Sequence, residues 1–255
     1  MMPALEPRLA YRLWAPFYPP HAHNPFMLAE ERAMLEMLPA DLRGMTVLDA
    51  GCGSGRYMLH AHRRGARAVF GMDLTFEMLQ RAKLETTSQN RDPRGTDRTL
   101  SVAQAGLDAI PVRDNWADLV ICGLALGHLP FLTPPLSELR RVMRPNGLLL
   151  CSDLHPIGET LGWKRDFKAA GRHYEVQHTT HSLATWRTVC AGVGLRIECI
   201  VEACISSADV PAGAQFDHAA LEQPVALALA LRNRAKVNTV PPFPIVGYAT
   251  VGGPL

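Results

Sequence analysis

Short apolar segments alternate with longer amphipathic segments through the middle of the chain. The apolar segments have the length of β-strands and lie at residues 46–50, 68–72, 119–122 and 148–152. Strands that are apolar on both faces are typical of a parallel sheet with helices packed on each side. The pattern therefore predicts an α/β fold with a doubly wound, mostly parallel sheet.

The amphipathic segments carry residues that start and end helices. Asn24 followed by Pro25 predicts the start of a helix whose apolar residues recur at helical spacing as far as Pro39. Further starts are predicted at Thr75, Thr133 and Ser182, and helix ends at Gly65 and Gly192. Residues 194–205 and 244–251 have strand patterns and would close the sheet as an antiparallel pair. Residues 86–99 are polar without periodicity, which predicts an exposed loop.

The composition excludes several classes of protein. Of 255 residues 47% are hydrophobic and 20% charged, which is typical of a globular domain, and the net charge of +2 argues against a nucleic-acid partner. Apolar runs of about 18 residues are missing, and Glu6 and Arg8 interrupt any signal peptide, so we expect no membrane association and a cytoplasmic location. Six cysteines without a C-x-x-C pair predict free thiols rather than disulfides.

A glycine-rich turn follows the first of these strands. Residues 47–55 read V-L-D-A-G-C-G-S-G, and Arg56 stands where a dinucleotide-binding motif has its last glycine, which argues against a nicotinamide cofactor. Asp49 would repel a pyrophosphate but attract an ammonium group. Asp73, about 20 residues beyond the turn, is placed to bind both hydroxyls of a ribose. A nucleoside with a cationic, amino-acid-like tail satisfies both carboxylates; otherwise the two acids only cap helix ends.

These motifs resemble those of the class I S-adenosylmethionine-dependent methyltransferases, in particular the small-molecule group with V-L-D-x-G-C-G-x-G. The resemblance continues in A-D-L-V-I-C at 117–122 and L-R-R-V-M-R-P-N-G-L at 139–148, and extends to about residue 205. It implies a Rossmann-like, seven-stranded sheet, mostly parallel with a C-terminal antiparallel strand. It also implies an N-terminal helical cap at 1–44 and a main domain at 45–255 with cap insertions near 156–181 and 206–240.

The resemblance also implies the cofactor, S-adenosylmethionine, and the residues that hold it. The methionine part would contact Asp49, Gly51, Gly53 and Gly55, and the ribose and adenine would contact Asp73 and Leu74. The family often has an acid on the adenine amino group five residues before a proline, but that position is Gly106 here. Leu107, through its backbone, and Asp108 are the candidates instead. The family's Y-D-x-x-A appears at 11–15 with its tyrosine and alanine but without its aspartate.

Histidines are the candidates for taking a proton from an acidic acceptor. His128 and His155 both follow predicted parallel strands, where ligands of open α/β sheets bind. Asp153 would orient His155, unless both residues only end the strand. Tyr11, with Tyr18, would cover the methyl donor, unless the two rings only pack. His178 and His181 lack accompanying acids or thiolates, so no metal is expected.

The sequence thus predicts an enzyme, an S-adenosylmethionine-dependent methyltransferase that acts on oxygen or carbon of a small organic acceptor. The alternative is a protein of the same fold that binds S-adenosylmethionine in a regulatory or cyclisation role. An RNA or protein methyltransferase is disfavoured by the near-neutral charge and by the absence of N-P-P-[YF] after residue 122. The acceptor, the choice between oxygen, carbon and nitrogen, and the oligomeric state, a homodimer included, stay open.

Overall fold

The computed structural model describes residues 3–89, 99–210, 220–221 and 223–234, which form a large sheet, a small sheet and the surrounding helices. The strands are β1 (Ala4–Leu5), β2 (Thr46–Ala50), β3 (Ala68–Asp73), β4 (Thr99–Gln104), β5 (Ala117–Gly123), β6 (Met143–Leu154), β7 (Asp166–Ala169), β8 (Arg172–Val176), β9 (Leu195–Cys204) and β10 (Pro224–Asn233). The α-helices are α1 (Pro7–Trp14), α2 (Pro25–Met37), α3 (Arg56–Arg63), α4 (Phe76–Gln89), α5 (Thr133–Val142), α6 (Ile157–Thr160) and α7 (Leu183–Gly192).

The large sheet has seven strands in the order β4-β3-β2-β5-β6-β10-β9. Strands β2 to β6 are parallel to one another, and β10 is antiparallel to both β6 and β9. The predicted mostly parallel, Rossmann-like sheet is therefore confirmed. Its strand order reverses between β2 and β5, and ligands bind beyond the carboxyl ends of the strands at such a point.

Alternate residues of the buried strands face two separate helical layers. Val47 and Leu119 belong to the cluster that includes α2 and α3, whereas Leu48 and Val120 belong to the cluster that includes α5 and α7. Because side chains alternate across a strand, both residues of each pair are apolar only when helices cover both faces. The uniformly apolar strand pattern reflects this arrangement.

Strand β10 differs from the sequence prediction. The partner of β9 is Pro224–Asn233, inside the stretch 206–240 expected to be a cap, while the strand predicted at 244–251 lies outside the described residues. Leucines on one face of β10 join the cluster with α5 and α7, and alanines on the other face lie beneath α2; they are Leu227, Leu229, Leu231, Ala226, Ala228 and Ala230. The small residues allow α2 to pack close to the sheet.

Two helix caps are confirmed and one helix is longer than predicted. Asn24 Oδ1 accepts a hydrogen bond from the Met27 amide at 2.8 Å, and Ser182 Oγ accepts one from the Thr185 amide at 3.1 Å. Helix α4 continues to Gln89, into the segment predicted as a loop. Threonine hydroxyls near its end bond back to a backbone carbonyl one turn earlier, which a helix accommodates. Residues 90–98 of that segment lie outside the described residues.

The small sheet joins the N-terminus to the predicted insertion at 156–181. Its order is β1-β8-β7, with Ala4 paired in parallel with Glu175. Helix α1 packs on this sheet through Ala10, and the Trp14 ring stacks on Phe167 with centroids 4.8 Å apart. The segment 1–44 therefore contacts both sheets. Helix α1 packs on the small sheet of the insertion, and α2 packs on the large sheet.

Candidate functional site

The glycine turn between β2 and α3 has a backbone that side chains would not tolerate. Gly51, Gly53 and Gly55 have positive φ angles of 76°, 53° and 90°. A Cβ atom on Gly51 would lie 2.7 Å from Cβ of Ala125, which is closer than two carbon atoms can approach. The turn is tied to β3 because the Gly51 amide donates to the Met72 carbonyl at 2.8 Å. A backbone this bare allows close approach of a ligand.

The carboxylate of Asp73 is fixed at the end of β3 by two backbone amides. Its Oδ2 accepts a hydrogen bond from the Gly53 amide at 2.9 Å, and its Oδ1 accepts one from the Thr75 amide at 2.8 Å. Burial raises the pKa of Asp73, and these amide hydrogen bonds oppose that increase. Each carboxylate oxygen keeps a second lone pair. The carboxylate is therefore held in a fixed orientation at the cavity wall.

The carboxylate of Asp108 lies where a side chain at residue 106 would project. Gly106 has no side chain, so this space is available. A Cβ atom on Gly106 would lie only 2.6 Å from Asp108 Oδ1. The carboxylate two residues later thus lies beside the position from which an acid at 106 would project. This placement is consistent with Asp108 in the role that the family gives to an acid at the earlier position.

One cavity brings most of the predicted site residues together. Its volume is about 330 Å³. The predicted residues that line it are Tyr11, Gly51, Gly53, Asp73, Leu74, Leu107, Asp108 and His128. Asp49, Gly55 and His155 are not part of its wall. The strand ends, the glycine turn and the N-terminal segment thus enclose a single volume.

Asp49 lies inside β2 and is 1% exposed. Its Oδ2 has no hydrogen-bond partner within the described residues. Burial raises the pKa of Asp49 to about 7, against the opposing attraction of the Arg56 charge. The predicted direct contact of Asp49 with a ligand in the cavity is therefore not seen in this structure.

Tyr11 and His128 form a hydrogen-bonded pair in the cavity wall. The Tyr11 hydroxyl lies 3.0 Å from His128 Nε2, and His128 Nδ1 lies 3.2 Å from the Gln177 carbonyl. Since a carbonyl only accepts, Nδ1 carries the proton and the tyrosine hydroxyl donates to Nε2. Burial and the nearby charge of Arg165 lower the pKa of His128 to about 3. The imidazole is therefore neutral at physiological pH.

The two histidines after β6 have other partners than expected. His155 Nε2 lies 3.0 Å from Glu202 Oε1, away from the cavity. The predicted pairing of Asp153 with His155 is absent, because β6 ends at Leu154 and the two residues therefore do not share one face of an extended strand. Asp153 Oδ1 instead lies 2.7 Å from Nε2 of His178, and its Oδ2 accepts the Gly127 amide. Asp153 thereby fixes the loop that carries His128.

A buried polar network that the sequence analysis missed borders the cavity. Glu30 of α2 is 0% exposed, and its carboxylate accepts hydrogen bonds from Arg56 at 2.8 Å, Tyr57 at 2.7 Å and Ser152 at 2.5 Å. Glu30 lies three residues after Met27 and four before Met34, on the apolar face of the predicted helix. A carboxylate at such a position was the available indication of a buried partner.

Arg165 is a cavity residue that the sequence did not indicate. It immediately precedes β7, in the insertion, and its Nη1 donates to the Leu124 carbonyl at 3.2 Å. The centre of its guanidinium group lies 5.8 Å from the centroid of the Tyr11 ring. Tyr11, His128 and Arg165 therefore form one continuous part of the wall.

Known proteins resemble this chain in sequence and in fold. Residues 48–151 match a family model described as a methyltransferase domain. A crystal structure of an S-adenosylmethionine-dependent methyltransferase from Mesorhizobium loti is 25% identical, with a TM-score of 0.61, and covers 80% of this chain and 97% of that one. Residues 48–151 thus carry a methyltransferase domain, and the fold is that of an S-adenosylmethionine-dependent methyltransferase.

Two curated relatives match this chain over part of their length. Malonyl-[acyl-carrier protein] O-methyltransferase of Hamiltonella defensa is 32% identical over 47% of this chain and 42% of its own. The 2-phytyl-1,4-naphtoquinone methyltransferase of Trichormus variabilis is 32% identical over 44% of this chain and 48% of its own. The match spans less than half the length of either relative.

The residues of this cavity fit S-adenosylmethionine. A glycine turn that excludes a Cβ atom at residue 51 and a carboxylate held by two amides at residue 73 match the amino-acid and ribose parts of that cofactor. The volume of about 330 Å³ lies in the range of small-molecule sites, roughly 300–1,000 Å³.

The part of the chain that the structure describes contains neither a membrane-crossing helix nor a metal-binding cluster. Among these residues, no helix is long and apolar enough to cross a membrane. Within the same ranges, the histidines, cysteines and acids form no group of three or more that could hold a metal ion.

Proposed function

We propose that this protein transfers the methyl group of S-adenosylmethionine to oxygen or carbon of a small organic acceptor. The observation that carries the proposal is the shared cavity. Its wall includes both the glycine turn with Asp73 and the unit formed by Tyr11, His128 and Arg165. When bound, the cofactor supplies an electrophilic methyl group on a sulfonium. Two ligands in one enclosed volume have the proximity that such a displacement requires.

Each predicted cofactor residue has a role in this proposal. Asp73 accepts hydrogen bonds from the ribose hydroxyls, the turn at 51–55 approaches the methionine part, and Asp108 accepts a hydrogen bond from the adenine amino group. Support comes from the rigid placement of Asp73 and from the position of the Asp108 carboxylate beside Gly106. The curated relatives named for O-methylation of a malonyl group and for methylation of a naphthoquinone support a small acceptor.

His128, rather than His155, is the histidine that we propose faces the acceptor. Its Nε2 becomes free to take a proton when the acceptor displaces the Tyr11 hydroxyl. The low pKa of His128, about 3, makes it a weak base, so the site favours an acceptor that is acidic or already ionised. A cytoplasmic location is part of the proposal, supported by six cysteines that are all free thiols.

Binding of S-adenosylmethionine tests the cofactor assignment. Asp73→Ala is expected to weaken binding by about 1–3 kcal/mol, since charge-assisted hydrogen bonds to the ribose are lost. Asp114→Ala, at a side chain that is 68% exposed, is the control and is expected to bind as the wild type. Titration calorimetry measures both, and transfer of a labelled methyl group to a panel of phenols, quinones and carboxylates tests the activity. Tighter binding of NADH than of S-adenosylmethionine, or an unchanged Asp73→Ala variant, contradicts the assignment.

A further inference from the structure

Most N–H donors of the Arg165 guanidinium group have no hydrogen-bond partner among the described residues. Arginine has five N–H donors, and the one hydrogen bond of this side chain within the described residues goes to the neutral Leu124 carbonyl. In the same part of the chain no carboxylate oxygen lies within 4.0 Å of its nitrogens. A partly buried cation in this state is unfavourable unless an anion joins it.

Arg56, the other buried arginine of the cavity, has a carboxylate partner, whereas Arg165 has none among the described residues. Arg56 pairs with Glu30 at 2.8 Å. Asp153, whose negative charge also reaches Arg165, is paired with His178 at 2.7 Å. Asp153 and Glu30 are the acids whose charges act on Arg165. Both are thus already bound to other groups.

The position of Arg165 is fixed, and it lies with the residues proposed to face the acceptor. Its backbone carbonyl accepts a hydrogen bond from the Val176 amide at 2.8 Å, which ties it to β8. Its side chain contacts the Leu124 carbonyl and the Tyr11 ring. The described structure gives it no hydrogen bond to the glycine turn or to Asp73, where the cofactor is proposed to bind.

We infer that Arg165 selects acceptors that carry a carboxylate, which it binds through its unused, forked N–H donors. The inference rests on the proposed function and names the substrate class of the same cavity. Arginine matches a carboxylate in bidentate geometry, with two parallel hydrogen bonds. An acceptor bound in this way extends from Arg165 along Tyr11 toward His128. Because a carboxylate is ionised at neutral pH, such an acceptor also fits a cavity whose histidine is a weak base.

The experiment compares carboxylates with neutral amides of the same shape. Phenylacetate with phenylacetamide, benzoate with benzamide, and octanoate with octanamide are titrated into the protein saturated with S-adenosylhomocysteine. In at least one pair the carboxylate is expected to bind about 10- to 100-fold more tightly than the amide. Arg165→Met is expected to abolish that preference by weakening the carboxylate alone, and Arg165→Lys to restore part of it, since lysine keeps the charge but not the fork.

Controls separate this role from folding and from cofactor binding. Arg172→Met, at an exposed arginine in the same insertion and outside the cavity wall, is expected to keep the full preference. Thermal melts establish that each variant is folded. If no carboxylate binds more tightly than its amide, or if Arg165→Met leaves the preference intact, the inference is wrong. It is also wrong if Arg165→Met weakens S-adenosylmethionine instead, since the arginine then holds the cofactor's own carboxylate.

The inference and the proposed function fail in different ways. If the wild type shows a carboxylate preference that Arg165→Met removes but binds no S-adenosylmethionine, the proposed function fails and the anion site stands. If the wild type methylates neutral acceptors and Arg165→Met does so equally well, the proposed function stands and the inference fails.

Discussion

Gly51 and Gly171 have nearly equal φ angles but different surroundings. Substitutions at these two positions therefore distinguish the cost of backbone strain from the cost of a steric clash. Gly51 has a φ of 76° and a Cβ atom would lie 2.7 Å from Ala125; Gly171 has a φ of 74° and open space around it. Gly171→Ala is expected to cost about 1 kcal/mol of unfolding free energy, from backbone strain alone. Gly51→Ala is expected to cost more and to weaken S-adenosylmethionine binding at least tenfold. Chemical denaturation measures the two losses of unfolding free energy, and calorimetry measures cofactor binding. Equal losses of unfolding free energy in the two variants contradict a steric clash at Gly51.

The protonation state of His128 is a second prediction at the scale of one residue. Because burial lowers its pKa to about 3 while an unfolded chain has about 6.5, the folded state prefers the neutral ring. The resulting stabilisation is complete above pH 6.5 and is lost as the pH falls toward 3. The imidazole resonances of His128 in NMR spectra should not titrate between pH 5 and 8 in the folded protein, but should in urea. A midpoint near 6.5 in the folded protein contradicts the closed Tyr11–His128 pair.

The sequence could indicate a site residue only where the role of that residue depends on its neighbours along the chain. Gly51 and Gly53 were indicated because a turn is set by adjacent residues, and Asp73 because one strand and one helix fix its distance from that turn. Glu30 and Arg165 are far along the chain from their contacts with Arg56 and Leu124. Such contacts arise only when the sheet has formed. No local pattern specifies them.

Strand β10 is the element whose role in the core was least visible in the sequence. Its alternating alanine and leucine residues are strong helix formers and lack the β-branched side chains typical of strands. Pairing with β6 and β9 on both sides, and packing under α2, decide its conformation. Tertiary contacts therefore override the local preference here.

The burial of β10 predicts a large loss of stability when one of its leucines is shortened. Leu229 is 0% exposed and lies among side chains of α5 and α7. Leu229→Ala is expected to lower the free energy of unfolding by about 2–5 kcal/mol, from lost burial and the cavity left behind. Leu161→Ala, at a residue that is 47% exposed, is the control and is expected to cost less than about 0.5 kcal/mol. Similar urea midpoints for both variants contradict a core position for β10.

At the scale of the whole molecule, the cavity is closed by two segments far apart in sequence. Helix α1 supplies Tyr11 and the insertion supplies Arg165, and these segments are held together by β1 pairing with β8 and by Trp14 stacking on Phe167. The resemblance to a family indicated that both segments lie near the site. It did not indicate that they form one unit, because the pairing of two-residue β1 has almost no sequence pattern.

Loss of the Trp14 ring tests whether this unit is independent of the main sheet. Trp14→Ala is expected to reduce the free energy of local opening of α1 by about 1–3 kcal/mol, through lost stacking and burial. Hydrogen exchange of the α1 amides should accelerate about 5- to 150-fold, while the amides of β2 and β3 exchange as in the wild type. Equal acceleration in β2 and β3 means that the small sheet and the main sheet unfold together.

The pairing of β1 with β8 also fixes the order in which the molecule is completed during synthesis. The glycine turn, Asp73 and Asp108 leave the ribosome before Arg165, and β1 has no partner strand until residue 176 has been made. Strand β10, which lies between β6 and β9, is made later still. The newly made chain therefore carries α1 with its apolar face uncovered while more than half of the protein is being translated.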